Sequence, residues 1–467
     1  MSKAKNNNED NKDTSIKETV LFNLKLKDIS TLKTVLNTSS ELDVLNIIHG
    51  LSAENQVIAY RLLSKEKALV VFEQLDTADQ EKLIRSFTEE AAIEVISELE
   101  PDDRVRLLDE LPAAVAKRMI AALTPKERAA TNLLMGYEAH TAGRIMTPEY
   151  VRLKKDMTVA EAAEKIKATA MDMETIYTLY VTDDARKLEG VVSLRDIFFA
   201  KNEDKIESIM QADFASVSTD DDQEEAARLL QKLHLLSIPV VDKENRIVGI
   251  ITVDDAMDII EIETTEDIYN QAGLANISGV EFNRSDVLIN GSLWRIWKVR
   301  LPFLAITLLA GILAGFVIGG FEELLMSTAA VAVFIPLIMD MGGNVGTQSS
   351  TVFARGVVIG HIDIRQFTKP FLKEVGVGLS IGILVGIISG VIASVWQGMP
   401  MLGLAVGLAL VCTMSLAALL GFLVPFVLLK LNVDQAAGSA PIITSIKDIS
   451  GLFIYFVLVS TFLRHLL

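Results

Sequence analysis

A single cysteine, Cys412, among 467 residues excludes a disulfide within the chain and any zinc site built on cysteine sulfur. Set in an apolar run, it reads as a packing residue. The five histidines, His49, His140, His234, His361 and His465, are scattered with no metal-ligand spacing between them. There is no Gly-x4-Gly-Lys-Ser/Thr loop for a nucleotide's phosphates and no serine or cysteine nucleophile motif. ATP-driven pumping and covalent catalysis therefore lack their parts, and the chain is read as a non-enzyme. The opening stretch MSKAKNNNEDNKDTSIKE lacks the apolar core of a signal peptide, so residues 1–19 are expected to form a polar, disordered tail. Glycine is nearly missing from residues 20 to 135, where only Gly50 occurs.

Charge is present but unevenly placed. From Leu293 onward there are ten Lys and Arg against seven Asp and Glu, a balance of +3, so the preceding residues carry −20 of the total −17. Such a division describes an acidic soluble body joined to an apolar membrane body. An acidic body repels nucleic acid and attracts cations.

The glycine-poor segment has a helical pattern throughout. Leu51, Leu75, Leu99 and Leu123 recur at a spacing of 24, with Leu63, Phe87 and Leu111 midway between them. Helix-start signals follow these positions, including Pro101 with Asp102 and Asp103, and a capping box at Thr124-Pro125-Lys126-Glu127. Residues 20–137 are therefore expected to be an all-α superhelical domain of short stacked helices. A repeat of about 60 residues comes next, in which "IMTPEYVRL" is echoed by "IMQADFASV" and "IYTLYVTDDARKLEGVVSLRDI" by "LSIPVVDKENRIVGIITVDDAM". Each copy reads helix, strand, turn, strand, helix, an α/β unit. The two copies resemble a tandem pair of CBS modules over residues 138–262, at about 142–203 and 206–262. The Ser/Thr-x-x-Asp after the last strand of a CBS module commonly meets a nucleotide ribose. The resemblance therefore implies that ATP binds near Ser193, Arg195 and Asp196 and near Thr252 and Asp255. Capping of the following helix is the alternative role for the same residues.

An acidic linker helix, "DDAMDIIEIETTEDIYNQ", leads on, its later part assigned to residues 263–292. Over 293–467 five apolar segments are long enough to span about 30 Å of hydrocarbon, at about 298–319, 327–356, 371–396, 401–429 and 441–463. Arg295, Lys298 and Arg300, then His361 to Lys373, then Lys430 and Lys447 mark one side of the bilayer, whereas "GGFEELLMS" and "WQGMPM" carry no Lys or Arg. The positive-inside rule puts the acidic body in the cytoplasm and the C-terminus outside a cell membrane of bacterial type.

Within these segments, polar residues demand an account. Asp340 in the second span and Asp448 in the fifth are carboxylates at depths where an unpaired charge is costly. Lys447 is the obvious ion partner for Asp448, but adjacent residues diverge by about 100° on a helix and pair poorly. In "MDMGGNVGTQSST" the glycines permit close helix approach or an opened backbone, and Asn344, Thr347, Gln348 and Thr351 supply oxygen or amide groups suited to a hard cation. Small-residue helix packing accounts for the glycines alone. One or two negative charges with several neutral oxygens suit hydrated magnesium, while calcium more often recruits several carboxylates.

The order of acidic helical domain, CBS pair, acidic linker and five spans resembles the MgtE family of magnesium channels. The stretches "TVDDAMDIIEIETTEDIYNQAG", "MGGNVGTQSST", "FLKEVGVG" and "TSIKDISGLFIYF" carry the likeness. It implies a homodimer in the lipid bilayer that moves Mg2+ down its electrochemical gradient. Asp448 matches the family's pore carboxylate, with Gly343, Thr347, Thr351 and the Thr444 carbonyl around the ion. Regulatory Mg2+ is implied at Asp222, Glu224, Asp255, Asp258, Glu263, Glu266, Asp267 and Asp434, stabilising a closed state when cytoplasmic magnesium is high. The linker helix would then act as a plug. Thr347 and Ala440 stand where some relatives have Asn, His234 where some have an acid, and Arg106 interrupts an acidic pair expected near Asp102. Fewer or weaker regulatory ions are the expectation. Two other readings stay open on the residues: a proton-coupled carrier of divalent cations using Asp340 or Asp448, and a nucleotide-sensing membrane receptor.

Overall fold

The computed structural model describes residues 16–17, 19–24, 26, 29–75, 77–274, 284, 287–289, 291–431 and 439–463. Of the polar tail, residues 1–15 and 18 lie outside the described residues, whereas 16–17 and 19 are already helical. The chain forms two compact units, Met1–Glu263 and Thr264–Leu467.

The first unit begins with short helices: α1 (Ile29–Thr38), α2 (Glu41–His49), α3 (Ala53–Arg61), α4 (Lys65–Glu73), α5 (Thr77–Ser86), α6 (Glu89–Glu98), α7 (Pro101–Glu110), α8 (Ala113–Ala122) and α9 (Pro125–Met135). Their starts recur every 12 residues. Local chemistry sets that beat. Ser40 with Asp43 and Thr124 with Glu127 form capping boxes, Thr88 caps α6, and Pro101 and Pro125 occupy first turns. Each helix is too short to be stable alone, so it packs on its second neighbour, α2 on α4, α3 on α5, α5 on α7 and α6 on α8. Leu51, Leu75, Leu99, Leu111 and Leu123 are all buried in one continuous core, with Leu63 and Phe87 packed against it. The leucine spacing is thus the repeat of the superhelix.

The unit continues with α10 (Ala142–Ile145) and two α/β modules. In the first, β1 (Tyr150–Leu153), α11 (Val159–Thr169), β2 (Thr175–Thr182) and β3 (Leu188–Ser193) lead to α12 (Leu194–Phe199). After α13 (Ile206–Ile209), β4 (Val217–Ser218), α14 (Gln223–Leu233), β5 (Ser237–Val241) and β6 (Ile247–Thr252) lead to α15 (Val253–Gln271). Each sheet has three strands, the first parallel to the second and the second antiparallel to the third. The short leading strands β1 and β4 were not expected, because four and two residues carry too little alternation to be seen. The modules share a core of Tyr180, Leu188, Val241, Ile247 and Ile250. Across it, the Tyr180 hydroxyl lies 2.6 Å from Ser237 Oγ.

In the second unit five helical segments are long and apolar enough to cross a membrane: Leu293–Gly319, Ala329–Val358, Thr368–Gln397, Pro400–Lys430 and Pro441–Phe462. Their regular parts are α16 (Leu293–Gly319), α18 (Ile335–Val358), α19 (Thr368–Gln397), α20 (Pro400–Lys430) and α21 (Ser439–Phe462), with α17 (Glu322–Ser327) between the first two. Helix α20 packs against α18, α19 and α21. The α19 contact depends on glycine, since a Cβ at Gly386 would stand 2.6 Å from the Gly407 carbonyl oxygen and one at Gly390 2.8 Å from that of Gly403. Two backbones meet there without side chains between them, as small residues allow in a bilayer. Cys412, expected in packing, is instead exposed on the surface of α20.

Candidate functional site

The polar stretch of the second span forms α18, and its residues divide cleanly between two faces. Gly342, Val345, Gly346, Ser349, Ser350 and Phe353 are buried against other helices. Asp340, Asn344, Thr347, Gln348 and Thr351 are exposed, at spacings of four, three, one and three residues that place them on one stripe. Asn344 Nδ2 donates to Asp340 Oδ2 at 3.3 Å, which gives Asp340 a partner one turn away.

The buried glycines receive α21. A Cβ at Gly346 would lie 2.9 Å from Ile443 Cγ2, and one at Gly342 only 2.5 Å from Lys447 Cδ. Lys447 therefore runs along α18, with its Nζ donating to the Met339 carbonyl and in ion-pair contact with Asp448 Oδ1. This overturns the expectation that the two neighbours pair poorly: the 100° divergence holds at Cβ, but a four-carbon stem curling over bare glycine brings the ammonium back. Gly343 and Thr444 are half-buried and Thr347 and Thr351 exposed. Thr444 stands one turn before Asp448 on α21. A further intramembrane carboxylate, Glu374 of α19, accepts from Ser349 Oγ at 2.7 Å. The sequence offers no signal of function for Glu374 beyond its charge in apolar surroundings, and offers Lys447 only as a flanking charge and a poorly placed ion partner for Asp448.

The first unit gathers a second set of charges. Asp102, Asp103 and Asp255 bring carboxylate oxygens within 4.8 Å of one another, as do Glu100, Asp102 and Glu174. Asp102 is only 9% exposed and its Oδ1 has no hydrogen-bond partner. Burial and then the neighbouring carboxylates raise these acids: Glu100 to about 7, Glu174 to about 9, Asp255 to about 6 and Asp102 well above the usual range. Arg106 answers part of that charge, bonding Asp103 at 2.5 Å and Asp258 at 3.5 Å. A side-chain cation thus stands where an acid was expected. Carboxylates in trios around one buried acid with an orphan oxygen fit a hard divalent cation. Asp255 and Asp258 were singled out in the sequence; Glu100, Asp103 and Glu174 were not, because their convergence spans three separate elements.

The other expected acids are more dispersed. Asp222 caps α14, accepting from the Glu224 and Glu225 amides, and Glu224 pairs with Arg228 Nε at 2.7 Å. Glu263 accepts from Gln223 Nε2 at 2.6 Å. Glu266 lies 3.8 Å from the deeply buried Arg284, which also bonds Asn270 at 2.9 Å. Asp267 lies a residue further along α15, half-buried. Asp434 falls outside the described residues. His234 ends α14 in the left-handed region, φ 53°. In the first α/β module Ser193 caps α12 in a box with Asp196, Oγ to Oδ2 2.6 Å, while Arg195 is exposed. In the second, Thr252 is buried and donates to Asp255.

These shifts predict a pH dependence. A carboxylate whose folded pKa exceeds its unfolded value binds more protons in the folded state, so its contribution is complete below about pH 4 and is lost as pH rises through the folded pKa. With divalent cations chelated, thermal stability of the first unit is expected to fall from about pH 4, with the part due to Asp255 lost by about pH 6, that of Glu100 by about 7 and that of Glu174 by about 9. Saturating MgCl2 should flatten that fall in a thermal-melt series on the whole protein. An equal slope with and without magnesium would exclude these acids as its ligands.

Comparison with known families gives a consistent result. Residues 335–458 match the MgtE divalent cation transporter model, residues 40–140 the MgtE intracellular N domain, and residues 142–203 and 206–262 the CBS domain. The chain is 38% identical over 328 residues to the magnesium transporter MgtE of Thermus thermophilus, covering 70% of this chain and 71% of that one. The Bacillus subtilis MgtE is 34% identical over 340 residues, with 73% of each chain covered. A crystal structure of the cytosolic domain of the Mg2+ channel MgtE in complex with ATP is similar at 35% identity and a TM-score of 0.49, covering 52% of this chain and 99% of that one. With its helical N-terminal domain in the cytoplasm, a CBS pair and several membrane-crossing helices, the chain belongs to the MgtE family of magnesium transporters.

Proposed function

We propose that the protein is a Mg2+ channel that passes the ion down its electrochemical gradient between the exposed stripe of α18 and Asp448 of α21. One observation carries this reading: Asp340, Asn344, Thr347, Gln348 and Thr351 face outward at membrane depth, away from the chain's own helices. Lipid cannot solvate such a stripe, so it must meet water or a second polar surface. A second copy of the chain supplies both, with the stripes of a homodimer enclosing a hydrated path. Gly343, Thr347, Thr351 and the Thr444 carbonyl then surround the ion's water shell, and the Asp448 carboxylate supplies its charge. The C-terminus lies outside and the channel sits in the cell membrane.

Closure follows from the acids of the cytoplasmic part. Mg2+ at the Asp102 trios with Asp255 and Asp258, and at Asp222, Glu224, Glu263, Glu266, Asp267 and Asp434, removes repulsion in the closed state and so favours it. Arg106 already neutralises part of that repulsion, and fewer ions are needed here. ATP is assigned to the first CBS module, where Arg195 is exposed and Ser193 and Asp196 are half-buried, in preference to Thr252 and Asp255, where the threonine is buried.

The test is influx into proteoliposomes loaded with a magnesium-sensitive dye, at low magnesium on the sensor side. A channel gives influx that follows the applied voltage and ignores a pH gradient. Influx that follows the pH gradient would replace this reading with a proton-coupled carrier.

A further inference from the structure

The pathway carboxylate is not alone. The side chain of Lys447 is 1% exposed within a membrane-crossing helix, whereas that of Asp448 remains 21% exposed. A lysine inside an apolar span is costly, so it persists where the fold compensates it. Here the ammonium meets two oxygens, Asp448 Oδ1 and the Met339 carbonyl, and its stem lies against Gly342, where a Cβ would come 2.5 Å from Cδ. The oxygen that the ammonium meets, Oδ1, is itself buried, so the exposed part of the Asp448 side chain lies elsewhere on it. The ammonium approaches from the buried α18 side, while the accessible part of Asp448 is left for a cation. Lys447 therefore stands behind the carboxylate and does not obstruct access to it.

The geometry points to Lys447 as the residue that sets how tightly the pathway holds its ion, a counter-charge that weakens Asp448 enough for a divalent cation to leave. This rests on the reading of Asp448 as the pathway carboxylate. Its physical basis is that conduction needs a site favourable enough to enter and weak enough to release. An unshielded carboxylate in low dielectric attracts a doubly charged ion more strongly than an ion pair does. Asp448 supplies attraction, and Lys447 limits it.

The test compares native protein with Lys447→Met, which keeps the length of the stem and removes the charge. In the dye-loaded proteoliposomes the half-saturating magnesium is expected to fall at least tenfold while the maximal rate also falls, since release slows. Lys447→Arg restores the charge and should return both values towards native. Gly342→Ala, which keeps the lysine but pushes its stem, should shift half-saturation in the same direction as Lys447→Met. A second readout does not need transport: magnesium should raise the melting temperature of Lys447→Met more than that of native protein, because the cytoplasmic acids are the same in both. If Lys447→Met does not fold, Lys447→Gln is read the same way. Unchanged half-saturation and an unchanged magnesium-dependent melting shift would make Lys447 a structural ion-pair partner only. Absence of influx in native protein would overturn the channel reading, and the melting comparison would still decide the role of the lysine.

Discussion

Replacing Asp448 by asparagine is expected to reduce magnesium influx at least a hundredfold while leaving the protein folded. The carboxylate is the only acid on α21 within the described residues, and it is partly accessible. At an effective dielectric of about 20 and a water-separated distance of about 5 Å, a single charge attracts a divalent ion by about 6–7 kcal/mol. Even a third of that, at 1.4 kcal/mol per decade, amounts to more than tenfold in occupancy, and a homodimer loses two such charges. Asparagine keeps an oxygen near the Lys447 ammonium, so the buried cation retains an acceptor and the expected loss concerns transport first. Dye-reported influx, read together with a melting curve and the elution volume of the variant, checks this. A folded Asp448→Asn protein with native influx would remove Asp448 from the pathway.

The second large effect is expected in gating. Asp102→Asn should raise the cytoplasmic magnesium needed to stop influx at least tenfold, with the maximal influx at low magnesium preserved. Asp102 belongs to both carboxylate trios, with Asp103 and Asp255 on one side and Glu100 and Glu174 on the other. Its loss therefore removes a ligand from each at once. It is also buried with an oxygen lacking a hydrogen-bond partner, which leaves that oxygen able to take a ligand. A ligand shifts a two-state equilibrium only by its differential affinity, so weakening the closed-state site must weaken closure. Influx measured across a magnesium titration on the sensor side gives the shift. An unchanged closing concentration would transfer sensing to the acids around Glu263 and Glu266.

Several parts of this molecule were readable because their physics is local. The 24-residue leucine ladder, with its half-step at 12, resolves into helix starts every 12 residues, because caps and leucines act within a helix and its second neighbour. The five spans follow from uninterrupted hydropathy, and their ends agree with the expected ones to within a few residues. The outward stripe of α18 was implicit in the spacing of Asn344, Thr347, Gln348 and Thr351, since an α-helix fixes which residues share a face.

What the amino-acid order determined by itself was the sequence of elements, the apolar segment in which each polar residue falls, and the family to which the chain belongs. Only the tertiary structure decided which charges meet. Glu100 and Asp102 come from the superhelix, Glu174 from the edge of the first α/β module and Asp255 from the end of the second, and no local periodicity links residues more than 70 positions apart. The direction of the Lys447 side chain escapes the sequence for the same reason. It depends on the glycine surface of α18, about 100 residues away, and a long side chain follows the space that another helix leaves open.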